Sequence, residues 1–254
     1  MNKRLSGKIT FVAGGAGLPG AGIVRSFLQE DATVIVPVKS ARSLALLKDY
    51  LGDTGSGRLV TLLTDYPDYD KAFEVAESIV EAYGPINLAV AAFDSPPASS
   101  CLTELTISDW QKMADENMTA GFVVGRVILQ MMKASGQGMY ISMSRTKDFE
   151  KTACSALANI AAVLQVELAR IFAQEIQATG VRYHHLLIGQ LATPIKQGID
   201  KGSLLTPEAV GDFIVGLYNG KTGRPGQLFQ WPAGKKTTGF LPVAPVAGLL
   251  PGEN

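Results

Sequence analysis

The sequence predicts an α/β fold: a doubly wound parallel sheet of about seven strands, with helices on both faces and three layers in all. Three observations predict it. Short apolar, β-branched runs recur along the chain, and helical apolar spacing follows most of them. The strand runs are continuous rather than alternating, which suits strands covered on both faces. Strand-like and helix-like segments alternate, and parallel strands need such crossovers. Right-handed crossovers place any ligand crevice at the carboxyl ends of the strands.

The elements follow in order. Lys8 to Ala13 is the first strand, Gly14 to Gly22 a glycine-rich turn, and Ile23 opens a helix that runs to Gln29. Ala32 to Val38 is the second strand, closed by Lys39 to Ser43, with a helix from Leu44 to Leu51. Leu59 to Leu63 is the third strand, and Lys71 to Tyr83 is an amphipathic helix stopped by Gly84-Pro85. Ile86 to Ala92 is the fourth strand, and Phe93 to Cys101 is a loop rich in Ser and Pro. Ser108 is placed as the cap of a long helix towards Met132, before a fifth strand, Gly138 to Ser144. A very apolar helix spans Ala153 to Gln177, and Gly180 turns the chain into a sixth strand, Val181 to Ile188. Pro207 to Tyr218 is a helix and Gly226 to Trp231 a seventh strand. A single domain over 1–236 and an apolar Gly/Pro-rich tail over 237–254 result.

Composition narrows the function classes. The chain has 254 residues, 46% of them hydrophobic and 18% charged, enough for a sizeable core. Zero formal net charge leaves no electrostatic footprint for nucleic acid or an anionic membrane. Cys101 and Cys154 show neither metal spacing nor a disulfide framework, so no metal is expected. With no signal peptide and no apolar run of spanning length, a soluble, reducing, cytoplasmic context is expected.

The first turn carries the strongest motif. Gly15-x-Gly17-x-x-Gly20 lies between a strand and a helix, as the dinucleotide fingerprint requires, and Gly14 gives a second, overlapping frame. A pyrophosphate reaches the amides at a helix N-terminus only where no Cβ intervenes. The alternative is a tight crossover that binds nothing. Lys39 and Arg42 follow the second strand, where Val38 stands in place of an acidic residue. Two cations there favour a 2′-phosphate, hence NADP over NAD, unless both are solvated loop charges.

From these residues onward the chain resembles the short-chain dehydrogenase/reductase family over nearly its full length, with that family's Rossmann-like fold. The resemblance places Gly14, Gly17, Leu18 and Gly20 at the pyrophosphate turn and Asp65, with Asp68 as its neighbour, at the adenine contact. It places Asn117 at the mid-helix active-site Asn, Ser142-Met143-Ser144 at the end of the serine-bearing strand, and Thr193-Pro194 at the nicotinamide carboxamide. It implies an NAD(P) cofactor and a dimer face built from two long helices. The departures are equally specific. The family's catalytic Tyr and Lys, four residues apart, fall on Ala158 and Ala162. No tyrosine lies between Tyr140 and Tyr183 and no lysine between Lys151 and Lys196, so no small shift of register restores either. The family's Asn-Asn-Ala-Gly reads Ala91-Ala92-Phe93-Asp94, and Leu18 replaces a glycine of the classical frame.

Other candidates have plainer alternatives. His184 and His185 are adjacent on one strand and point to opposite faces, as core or interface histidines do. Arg145, Lys147, Asp148, Glu150 and Lys151 crowd the loop after the fifth strand, where a replacement acid could stand among ordinary surface charges. Asp94 could act as an acid or base, or pin its loop. The expected function is therefore a catalytically degenerate subunit that pairs with an active paralogue of the same fold, or a homo-oligomer. The family contains such heteromeric pairs, one acting on 2-[hydroxy(phenyl)methyl]succinyl-CoA. The alternatives are an NADP-dependent oxidoreductase, a related lyase or isomerase using Asp94 or the 145–151 charges, and a dinucleotide sensor without turnover. Dinucleotide binding could also have been lost.

Overall fold

The computed structural model describes residues 3–64, 68–93, 101–145, 156–189, 191, 206–220, 226–231 and 239–240. Its eight strands are β1 (Ile9–Ala13), β2 (Thr33–Val38), β3 (Arg58–Leu63), β4 (Leu88–Ala91), β5 (Gly138–Arg145), β6 (Val181–Ile188), β7 (Gln227–Trp231) and β8 (Gly239–Phe240). They form one sheet in the order β3-β2-β1-β4-β5-β6-β7-β8. The first seven are parallel, as predicted, and the two-residue β8 from the expected tail adds an antiparallel edge on β7. The helices are α1 (Leu18–Gln29), α2 (Ala41–Leu51), α3 (Tyr69–Tyr83), α4 (Ile107–Met113), α5 (Ala120–Ser135), α6 (Ala156–Glu175) and α7 (Pro207–Tyr218). A π-helical turn, Ala114–Thr119, joins α4 to α5.

The strand pleat sorts the core into two faces. Val12, Val34 and Val36 join Ile23, Phe27, Leu47 and Ile214 under α1, α2 and α7. Phe11, Ile35 and Tyr140 join Ile79, Val124, Ile128 and Phe172 under α3, α5 and α6. His184 and His185 fall on opposite faces, as the parity of a strand demands. His184 meets Phe229 edge-on at 5.5 Å, and His185 bonds to Ser142 and Ser144.

α1 begins at Leu18, five residues earlier than the spacing of its apolar residues predicts. Its glycines serve close approaches rather than a long turn. A Cβ at Gly20 would lie 2.2 Å from the Gly14 carbonyl oxygen, and one at Gly22 would lie 2.3 Å from Pro207 at the start of α7. Ser26 of α1 is buried at the same contact and donates to the Glu208 carbonyl at 3.0 Å. The long helix is capped by Thr106 rather than Ser108. Thr106 Oγ1 accepts from the Asp109 amide and the Asp109 carboxylate accepts from the Thr106 amide, a reciprocal capping box. Contrary to the expectation of no apolar run of spanning length, α6 is long and apolar enough over Leu157–Glu175 to cross a membrane. Here it lies on the sheet, burying Ala169, Phe172 and Ala173.

Pro37 stands within a central strand, where a missing N–H ordinarily breaks the ladder. Thr33 N–H donates to the Lys8 carbonyl, so odd-numbered residues of β2 face β1. The pairing of β2 with β1 ends at Phe11–Ile35, one step before Pro37 would have to donate. The proline therefore sits where β1 and β2 part, at the carboxyl edge of the sheet.

The two glycines of the turn are expected to respond differently to a methyl group. Gly20→Ala should cost about 2–3 kcal/mol, because backbone meets the new Cβ and overpacking of this kind is worth roughly that much. Gly17→Ala, whose Cβ lies 3.3 Å from the Gly14 oxygen at an ordinary backbone conformation, should cost less than about 1 kcal/mol. Urea unfolding of both variants measures the difference.

Candidate functional site

The strand order reverses between β1 and β4, which makes the space beyond their carboxyl ends the switch-point crevice of the sheet. A pocket of about 230 Å³ lies there. Its floor is Gly14, Ala16 and Gly17 from the β1–α1 turn, with Ala92 and Phe93 beyond β4. Pro37, Val38, Lys39 and Ser43 form one wall, and Glu116 and Ala120 the other. Gly14 adopts φ +73°, and a Cβ there would lie 2.4 Å from the Ala92 carbonyl oxygen. It locks the turn of β1 against β4.

Gly17 caps α1 without a side chain, and no acidic residue occupies the first turn. The helix N-terminus therefore presents its partial positive charge to the crevice. Pro19, in that first turn, contributes no N–H, so Leu18 and Gly20 carry the first-turn amides. Leu18 itself is half-buried and does not line the pocket, so replacement of a glycine by leucine leaves the floor open. Of the two predicted cations, Lys39 lines the pocket, while Arg42 is exposed on α2 outside it. Ser43 and Glu116 line it without having been singled out from the sequence. Ser43 could have been: Ser40 caps α2, and its third residue must return to the strand end.

Towards β5 the crevice edge is polar but uncharged among the described residues. Asn117 is buried in the π turn, where its Nδ2 donates to the Met113 carbonyl at 3.1 Å. Gln165 of α6 donates to the Asn117 carbonyl at 3.4 Å. Ser144 is buried and meets His185 Nε2 at 2.9 Å. Ala158 and Ala162 stand one turn apart on α6, Ala158 half-buried and Ala162 buried. Neither methyl group can hold or pass a proton. Asp68, read as the neighbour of an adenine contact, caps α3 by accepting from the Asp70 and Lys71 amides and pairs with Lys71 at 3.1 Å. Asp65, Asp94, Thr193 and residues 146–155 lie outside the described residues, as does the side chain of Arg145. Among the described residues no three His, Cys, Asp or Glu side chains gather as a metal site would require.

On the outer side of α5 and α6 lies an apolar groove of about 400 Å³, lined by Met118, Thr119, Phe122, Leu164, Gln165, Glu167, Leu168 and Ile171. Phe122, Val163 and Ile171 are 42%, 45% and 40% exposed. Apolar surface of this kind on adjoining helices is more than scattered single side chains would give.

The histidines give the fold a pH dependence. Burial pushes the His184 imidazole down to about 4, with a smaller push from the Arg182 charge, and pushes His185 down to about 3. An unfolded histidine titrates near 6.5. Below that value the unfolded chain binds protons that the folded chain refuses, so stability is complete above about pH 6.5 and falls as pH drops towards the folded values. At pH 5 each ring is expected to cost about 2 kcal/mol relative to pH 7.5. Urea unfolding at the two pH values should show a combined loss of about 4 kcal/mol; equal stabilities would refute the assignment.

Comparison with known proteins agrees with this architecture. The family model for short chain dehydrogenases matches residues 8–203. An uncharacterized oxidoreductase of Staphylococcus saprophyticus is 23% identical over 199 residues, spanning 78% of this chain and 85% of that protein. A cis-4-hydroxycyclohexanecarboxylate dehydrogenase of Sinomonas cyclohexanicum is 23% identical over 231 residues, spanning 85% and 91%. Among solved structures, a metagenomic short-chain oxidoreductase in complex with NADP superposes with TM-score 0.72 at 18% identity, over 89% of this chain and 98% of that one. The sheet order, the switch-point pocket and the match over residues 8–203 together place this chain in the short-chain dehydrogenase family.

Proposed function

We propose that this chain is a catalytically degenerate member of its family, acting as the structural or regulatory partner of an active NAD(P)-dependent alcohol or hydroxyacyl dehydrogenase of the same fold in the cytoplasm. The observation that carries the reading is the pair Ala158 and Ala162. Hydride addition to a carbonyl leaves an alkoxide that needs a proton, and a positioned acid supplies about 10²- to 10⁴-fold of rate. The family's Tyr and Lys positions hold methyl groups on α6. Asn117 has its amide turned to the Met113 carbonyl, and Ser144 has no tuned acidity of its own.

The apolar groove on α5 and α6 supports the partner. Most of its residues sit on α5 and α6, the two helices that the resemblance gives as the family's dimer face. The open pocket at the switch point favours a second reading, in which a dinucleotide binds without turnover. The residues present fit that ligand. The Gly14–Gly17 floor and the Leu18 and Gly20 amides would hold the pyrophosphate, and Lys39 with Ser43 would hold a 2′-phosphate. When bound, a nicotinamide dinucleotide supplies hydride chemistry. At about 230 Å³ the pocket is smaller than the roughly 300–1,000 Å³ usual for whole ligands, so part of the dinucleotide would extend towards β5.

Three outcomes are expected. The isolated chain, assayed with NAD(H) and NADP(H) over alcohols, ketones and hydroxyacyl thioesters, should turn over at least about 10³-fold below the ordinary 10 per second; turnover within tenfold of that value would refute the degenerate reading. By calorimetry NADP⁺ should bind about tenfold more tightly than NAD⁺, and Lys39→Ala should remove the preference, a difference of about 1.4 kcal/mol. Phe122→Asp with Ile171→Asp should release a monomer in sedimentation runs, while an unchanged assembly would exclude this face.

A further inference from the structure

The polar side chains of the switch-point pocket are few and of opposite kinds. Among its described lining residues they are Lys39, Ser43 and Glu116; the others are glycines, alanines, Pro37, Val38 and Phe93. A lysine ammonium only donates, a serine hydroxyl does both, and an ionised carboxylate only accepts. Lys39 and Ser43 belong to one wall and Glu116 to the other.

The π turn explains how a carboxylate comes to stand there. Glu116 and Ala120, four residues apart, line the crevice, while Met118, Thr119 and Phe122 line the outer groove. Residues four apart share a helix face. Asn117 is buried between the two sets, with its Nδ2 on the Met113 carbonyl at 3.1 Å. Gln165 of α6 donates to the Asn117 carbonyl at 3.4 Å. These bonds hold the turn from behind, so Glu116 is in place before any ligand arrives, which lowers the cost of ordering on binding. Glu116 is half-buried and makes no hydrogen bond or ion pair with another described residue.

A carboxylate partly withdrawn from water needs donors facing it. A phosphate supplies none when ionised and brings a like charge. The anionic part of a ligand therefore belongs with Lys39, Ser43 and the α1 amides, and a neutral donor belongs with Glu116. A nucleoside phosphate carries both, because its ribose hydroxyls and the exocyclic amine of adenine are neutral donors. Val38, Ala92 and Phe93 offer apolar surface for the base and sugar.

We propose that Glu116 is a specificity-determining residue of this pocket, whose carboxylate accepts a hydrogen bond from a neutral donor on the nucleoside half of the ligand, a ribose hydroxyl or the base amine. The proposal rests on the reading in which a dinucleotide binds here, and it is indifferent to whether hydride moves.

The test is calorimetry on the full chain with three probes: NADP⁺, its hypoxanthine analogue, which has a carbonyl in place of the amine, and its 3′-deoxyadenosine analogue. Glu116→Ala should weaken NADP⁺ about tenfold, the usual worth of a hydrogen bond to a charged group. Glu116→Gln keeps a neutral acceptor oxygen and should lose only about threefold. The wild type should bind one analogue about tenfold more weakly than NADP⁺: the hypoxanthine analogue where the amine is the donor, the 3′-deoxy analogue where the hydroxyl is. Glu116→Ala should bind that analogue and NADP⁺ alike. Urea unfolding without ligand should be unchanged in both variants. Should Glu116→Ala fail to fold, Glu116→Gln and the wild-type comparison of analogues carry the test. Tighter NADP⁺ binding in Glu116→Ala, as plain repulsion of phosphates would give, would overturn the proposal. So would equal affinity of the wild type for all three probes. A wild type that binds no NADP⁺ would overturn the dinucleotide reading together with the proposal, whereas NADP⁺ binding that ignores Glu116 would overturn the proposal alone, so the two failures are distinct.

Discussion

The structure depends on one crossing of backbone over backbone. Gly14 packs on the Ala92 carbonyl and Gly20 packs on the Gly14 carbonyl, at distances that leave no room for a Cβ on either glycine. This contact joins the end of β1 to the end of β4 at the point where strand order reverses. It also sets the entry of α1, and through Gly22 against Pro207 the seating of α7. The two roles of a glycine-rich turn can thus be separated. Gly14 and Gly20 are required by the architecture whether or not anything binds. Gly17 meets only the Gly14 oxygen, at 3.3 Å, and faces the pocket. It is the glycine whose identity speaks to a ligand.

Much of the fold was legible because buried parallel strands read as continuous apolar runs. The β6 and α7 boundaries match the sequence reading residue for residue, since Gly180 and Pro207 punctuate both. The misreadings have local causes. Glycines in α1 resemble a loop until the helix packed against them is known. Thr106-x-x-Asp109 was a readable capping box, and Ser108, inside the first turn, competed with it. The π turn that carries Asn117 adds one residue to a helical turn, which apolar periodicity cannot resolve.

The site was less legible than the fold. Lys39 reaches the pocket from a strand end, where position is fixed, while Arg42 is carried away by the rotation of α2. The hydrogen-bonded chain of Tyr183, Ser142, His185 and Ser144 needs the register of β5 against β6, a long-range fact. The parity of Ser142 and Ser144 hinted that they share a face. Nothing local said that His185 would sit between them. A fully satisfied polar chain in a dry core is stable only when every link is made, and that cooperativity is a property of the packed state.

On the proposed reading, the alanines at the proton-handling positions and the apolar groove meet on one helix. The inner positions of α6, Ala162, Ala169, Phe172 and Ala173, are buried against the rest of the protein, while Val163, Leu164 and Ile171 remain substantially exposed. A lysine at 162 would need a polar outlet for its ammonium, and burying an unpaired charge costs several kcal/mol. An alanine there removes that cost. On the proposed reading, substitution of the proton-handling pair relaxes the inner face without touching the outer one. Selection on α6 then falls on the apolar surface alone, where each large side chain sealed from water contributes roughly 1 kcal/mol or more. A helix freed from chemistry in this way can specialise in assembly while the sheet that carries it stays unchanged.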